Sequence, residues 1–153
     1  MPTFLSQHFT LEELTFSQTA ARQGINNTAS PDIIANLRIL AAKLEEVRAF
    51  LGEVPLIISS GYRGPALNAA VKGSLTSAHM NGLAADFTAP SYGDVLNVAQ
   101  AIANSGIVFD QLIHEYGTWV HIGLERPGTV PRQQLLSIFK GTGYINGIIP
   151  NPG

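Results

Sequence analysis

Two short stretches of this chain carry the residue types that hydrolytic chemistry needs. The first is Ser77-Ala78-His79-Met80-Asn81-Gly82-Leu83-Ala84-Ala85-Asp86. It sets a histidine in a polar loop and an aspartate seven residues on, inside an apolar run. An unpaired carboxylate in an apolar strand is costly to bury, so Asp86 calls for a metal, a cation or several donors. The Asn81-Gly82 turn lets His79 and Asp86 converge. The second stretch is Trp119-Val120-His121-Ile122-Gly123, a histidine inside an apolar strand. Taken alone, His121 reads more readily as a core histidine than as a ligand. Taken together, two histidines and an aspartate make the three protein ligands of a catalytic zinc site, with a fourth position open to water. Zinc acidifies that water and polarises a carbonyl, as amide hydrolysis requires. A third stretch, Ser59-Ser60-Gly61-Tyr62-Arg63-Gly64-Pro65, puts Arg63 in a glycine-bounded loop. There it is either an anion-binding group or a surface arginine in a turn.

The rest of the composition narrows the choice. The chain has 153 residues, no cysteine and four histidines, so thiolate nucleophiles, disulfides and sulfur-ligated zinc are excluded. A formal charge of −2 with 13% charged residues gives no basic stripe for nucleic acid and no polybasic membrane patch. No apolar run approaches the ~18 residues that a membrane span needs. The start Met1-Pro2-Thr3-Phe4-Leu5-Ser6-Gln7-His8 lacks the basic and apolar regions of a signal peptide. No partner protein is evident.

The elements that must position these residues read as α+β. Thr10 can cap a short helix to Leu14, with Glu13 at the capping-box position. Residues 17–29 read as loop. Ser30, Pro31 and Asp32 open a long helix with an apolar stripe at Ile33, Leu37, Leu40, Leu44, Val47 and Leu51, stopped by Gly52. Pro55–Ser59 reads as a strand, Pro65 to about Val71 as a helix, 73–83 as loop or short turns, and Ala84–Ala89 as a buried strand. Ser91–Asn104 reads as a helix. Phe109–Tyr116 and Trp119–Leu124 read as a hairpin around Gly117-Thr118, Gln133–Phe139 as a further strand, and the tail as irregular. The expectation is one domain, 1–153, with a small, mostly antiparallel sheet and helices packed on it.

The chain resembles the zinc D-Ala-D-Ala carboxypeptidase family, which includes D-alanyl-D-alanine dipeptidases and phage L-alanyl-D-glutamate endolysins. Ser77, His79, Gly82, Ala84 and Asp86 match every fixed position of its Ser-x-His-x-x-Gly-x-Ala-x-Asp signature, and Trp119-Val120-His121 matches its later Trp-x-His. The stretch from Ser60 to Pro65 is similar to its Ser-Gly-Tyr-Arg-Ser-Pro segment, with Gly64 in place of the serine. The opening HFTLEELTFSQTAARQGINNT is similar to the start of single-domain phage members, so the likeness covers about residues 5–140. The resemblance implies a hedgehog-like fold and one zinc ion held by His79, Asp86 and His121. It implies that Arg63 stabilises an oxyanion and that Ser77 touches substrate or supports the zinc shell. Tyr62 and Trp119 join Ser77 as candidate substrate contacts, Trp119 being equally a core residue. The implied substrate is the stem peptide of peptidoglycan, cut as a carboxypeptidase or as an endopeptidase. The implied setting is a phage or prophage enzyme made in the cytoplasm and acting in the periplasm or wall, or carried on the virion. The alternative is a zinc-bearing but catalytically silent wall-binding or phage structural module.

The general base is open at this level. The family's glutamate three residues before the last ligand falls on Thr118 here, and its histidine five before falls on Tyr116. Hairpin register separates the remaining candidates, because residues opposite each other share a face. A two-residue turn at Gly117-Thr118 pairs His114 with His121. A loop from Gly117 to Trp119 pairs Glu115 with His121. The resemblance favours Glu115 as the base, because phage members carry a glutamate in this Glu-x-Gly-x-Trp-Val-His setting. His8, far from these motifs, reads as a surface or capping residue.

Overall fold

The structure is a computed structural model that describes residues 2–153, so Met1 lies outside the described residues. Its scaffold is a long helix laid against one face of a six-stranded sheet. That helix, α3 (Pro31–Phe50), begins as its residues dictate: the Ser30 side chain accepts from the Ile33 N–H, and Pro31 occupies the first turn. Leu37, Leu40, Ala41, Leu44 and Val47 are fully buried. Each large side chain so buried stabilises the fold by roughly 1.5–3 kcal/mol. Before it come α1 (Leu11–Thr15) and α2 (Gln18–Gln23). Thr10 and Glu13 form the expected capping box of α1. The second helix corrects the reading of 17–29 as loop. Ser17 caps it by accepting from Ala20 N–H at 3.2 Å, and left-handed Gly24 closes it.

The strands are β1 (Ile57–Ser60), β2 (Ala84–Thr88), β3 (Gln111–Glu115), β4 (Trp119–Gly123), β5 (Gln134–Ile138) and β6 (Ile145–Asn146), in the order β1-β2-β4-β3-β5-β6. Four neighbouring pairs are antiparallel, and β3 with β5 is parallel, so the sheet is mixed. The short β6 corrects the expectation of an irregular tail. Helix α4 (Pro65–Ala70) follows β1, and a single 3-10 turn, Ala78–Asn81, precedes β2. Helix α5 (Val95–Ala103) starts later than Ser91, because Asp94 caps it by accepting from Asn97 N–H.

Alternation along the strands divides the sheet into two faces. Ala85, Phe87, Val120, Ile122 and Leu112 point into the core with α3. Asp86, Trp119, His121, Ile113 and Glu115 lie on the opposite face. No helix among the described residues is long and apolar enough to cross a membrane.

Candidate active site

Three elements bring the signature residues together. Ser77 caps the 3-10 turn by accepting from His79 N–H at 3.2 Å, and Gly82, at φ 70°, ends it and turns the chain into β2. His79 thus lies 3% exposed beside the strand that carries Asp86. Its Nδ1–H donates to the Gly61 carbonyl at 2.7 Å. That bond fixes the ring orientation and leaves Nε2 facing Asp86 Oδ1 at 3.3 Å. Asp86 sits in the middle of β2, with Ser60 of β1 opposite on one side and His121 of β4 on the other. His121 Nδ1 lies 2.9 Å from the same Oδ1. One ligand atom from each of the three residues falls within 4.8 Å of the others.

The donor chemistry fits a divalent cation. With the Nδ1 proton on Gly61, the neutral His79 ring presents a lone pair to a carboxylate oxygen. Two acceptors face each other in a buried site, and a cation between them relieves that opposition. Two nitrogens and one oxygen with no sulfur are a ligand set that zinc accepts.

Arg63 is tied to the same turn. Its backbone N–H donates to the His79 carbonyl at 3.0 Å, and its Nη2 donates to Ser77 Oγ at 3.1 Å. Its Nε is buried with no hydrogen-bond partner among the described residues, a donor free to meet an anion. Ser77 therefore supports both the ligand turn and the arginine.

Glu115 reaches this face by a register that differs from both expected ones. Glu115 pairs with Trp119, and Ile113 with His121. The loop occupies Tyr116 to Thr118 because Tyr116 (φ 58°) already enters the left-handed region, followed by Gly117 (φ 64°). The alternation still puts Glu115 on the His121 side. His114 falls on the other side, where its Nδ1–H donates to the Ile149 carbonyl at 2.9 Å and its ring packs edge-on to Phe139. His114 is thereby structural in its contacts, and Glu115 is the acid next to the cluster.

A protein-family model described as Peptidase M15 matches residues 7–123. The chain belongs to the Peptidase M15 family. It is also similar to the zinc D-Ala-D-Ala carboxypeptidase of Streptomyces albus G, with 38% identity over 72 residues. That stretch is 47% of this chain and spans only 28% of the relative's length.

The electrostatics of the M15 site follow from burial and neighbours. Burial raises the Asp86 pKa most strongly, yet His79 and His121 outweigh it and hold the carboxyl well below the usual range. Burial pushes His79 down, against the charge of Asp86. His121 is also pushed down by burial, but its bond to Asp86 reverses the sign and its pKa is raised. Glu115 is raised, first by burial and then by the nearby Asp86 charge, the direction that suits a general base. Arg63 is lowered by burial, opposed by Asp86 and Glu115.

The cluster lies where two grooves meet. One, of about 520 Å³, runs over the end of β1 past α2 and is touched by Tyr62 and Arg22. The other, of about 1170 Å³, crosses β3 and β5 towards β6. Both include Arg63, Asp86 and Trp119. Tyr62 is 8% exposed and belongs as much to the core as to the groove. Arg22, Tyr144 and Asn146, which no sequence motif marks, are brought to these grooves by the fold. Arg22 lies in a helix read as loop, and the other two lie in a glycine-rich tail without a motif.

Proposed function

We propose that this chain is a zinc-dependent peptidase that hydrolyses an amide bond in the stem peptide of bacterial peptidoglycan. The observation that carries the proposal is the convergence of His79 Nε2 and His121 Nδ1 on Asp86 Oδ1, with an Arg63 Nε that has no partner among the described residues. The named activity of the Streptomyces relative supports zinc and the wall-peptide substrate class. The likeness of the opening residues to those of single-domain phage members supports a phage or prophage wall-degrading enzyme acting in the periplasm or wall. The two grooves support a cut inside a peptide rather than at its end, because chain can extend from the cluster in both directions.

In this reading, bound zinc supplies Lewis acidity to the water and the scissile carbonyl. Glu115 accepts the proton of the attacking water and returns it to the departing amine. Arg63 donates to the oxyanion that forms on the carbonyl, in a site where burial strengthens the contact. Asp86 offsets part of the metal charge and leaves a cationic centre suited to an anionic transition state. Ser77 holds Arg63 in place, and Tyr62 and Trp119 form walls for the peptide.

The test is digestion of purified peptidoglycan by zinc-loaded protein, with and without chelator, with fragments read by mass spectrometry. Chelator-sensitive release of fragments with flanking residues on both sides of one cut is expected. No release by folded, zinc-loaded protein would leave a silent wall-binding module instead.

A further inference from the structure

Trp119 is the chain's single tryptophan. It opens β4 directly opposite Glu115, the last residue of β3. Its indole Nε1–H donates to Glu115 Oε2 at 2.8 Å. The terminal torsion of a glutamate is otherwise broad. A donor held on one oxygen narrows it and leaves Oε1 free for a proton.

The turn that joins the two residues is built at a cost. A non-glycine residue in the left-handed region is disfavoured by about 1–2 kcal/mol, and Tyr116 (φ 58°) takes that position. Asparagine or glycine would serve the backbone better. What tyrosine adds is its ring, which lies 5.8 Å from the Trp119 ring at 59°. The surroundings hold the turn in place. Tyr116 N–H donates to the Ile138 carbonyl at 2.8 Å, Thr118 N–H to the Glu115 carbonyl at 2.9 Å, and Thr118 Oγ1 to the Tyr116 carbonyl at 3.1 Å. Strain maintained in this way next to a reactive group points to a positioning role.

We propose that Trp119 is a positioning residue for Glu115. Its indole N–H holds the carboxylate in the orientation that accepts the proton of water, and the Tyr116 ring braces the indole. The inference rests on the reading of Glu115 as the base. It is separable from the wall role, for which the aromatic ring kept by Trp119→Phe suffices, and from a packing role, which would act on stability.

Trp119→Phe keeps a ring and removes the donor. The expected result is a kcat lower by roughly 10- to 100-fold, the scale of a misplaced catalytic group, with KM within about twofold and zinc content unchanged. Tyr116→Ala should lower kcat in the same direction by a smaller factor. A readout independent of turnover is the one indole ¹H–¹⁵N resonance of the zinc-loaded protein. It should move as Glu115 titrates and should stop doing so in Glu115→Gln. If the wild type shows no turnover, the peptidase reading fails while the indole resonance still tests the hydrogen bond. Trp119→Phe with unchanged kcat and a raised KM would overturn the inference, as would an indole resonance indifferent to Glu115→Gln.

Discussion

Gly61 offers a sharp test, because it touches the site only through its backbone. A Cβ there would stand 2.3 Å from the Leu14 carbonyl oxygen and 2.9 Å from its carbon. Both are backbone atoms at the end of α1, and the Tyr62 N–H donates to that same carbonyl at 2.7 Å. Gly61→Ala must therefore push α1 and the Gly61–Tyr62 segment apart. Overpacking of this kind costs about 1–3 kcal/mol of stability. The same shift moves the Gly61 carbonyl away from His79 Nδ1, now 2.7 Å distant. Loss of such an outer partner lowers metal affinity by roughly 10- to 100-fold, which is about 1.4–2.8 kcal/mol. Zinc affinity can be measured by competition against a chromogenic chelator, with thermal denaturation alongside. Zinc affinity within twofold of wild type in folded Gly61→Ala would refute the role given to this carbonyl.

Three further outcomes follow from the contacts. His114→Ala should cost about 1–3 kcal/mol, since it strips the Ile149 carbonyl of its donor, and should leave zinc content and kcat unchanged. A fall in kcat beyond that explained by unfolded protein would put His114 back in the mechanism. Glu45 accepts from Ser6 Oγ and His8 N–H at 2.6 Å each. Burial raises its pKa, but these bonds and His8 outweigh it, so the folded value lies below the ordinary 4.5. Its contribution is present above pH 4.5 and fades as pH falls through the lower folded value. The Tm gap between wild type and Glu45→Gln should narrow accordingly on acidification; a gap that widens would contradict this. Finally, chelation should lower the Tm by roughly 5–10 °C when free zinc had stood near 100 times its Kd, from about 2.7 kcal/mol of linkage. An unchanged Tm would mean that no metal binds the folded cluster.

Much of the site was legible because its chemistry is local. Ser77, His79, Gly82 and Asp86 span one turn and one strand, and each has a type that its position requires. Helix α3 was legible through the Ser30 cap and a long apolar stripe. Helix α2 was not, since Gln18–Gln23 has no stripe and depends on Ser17 and Gly24 at its ends. The hairpin register was not legible either. Tyr116 gives no sign of a left-handed backbone, and its conformation is set by the Ile138 carbonyl, which is remote in sequence. The face of Glu115 came out right because alternation survives a shift of two residues. Tyr144 and Asn146 reach the groove only through β6, whose pairing with β5 has no signature in a two-residue strand.

In the proposed function a metal held by His79, Asp86 and His121 acts together with Glu115 to cut a stem-peptide bond. Its most direct test compares fragments released from peptidoglycan by zinc-loaded wild type and by zinc-loaded Glu115→Gln. One zinc per chain is expected in both proteins, with a single new amine and carboxyl pair in the wild-type digest. The variant should be slower by roughly 10²- to 10⁴-fold, the usual range for a lost general base. Equal release by the two proteins would contradict the role of Glu115, and release by neither would contradict the peptidase.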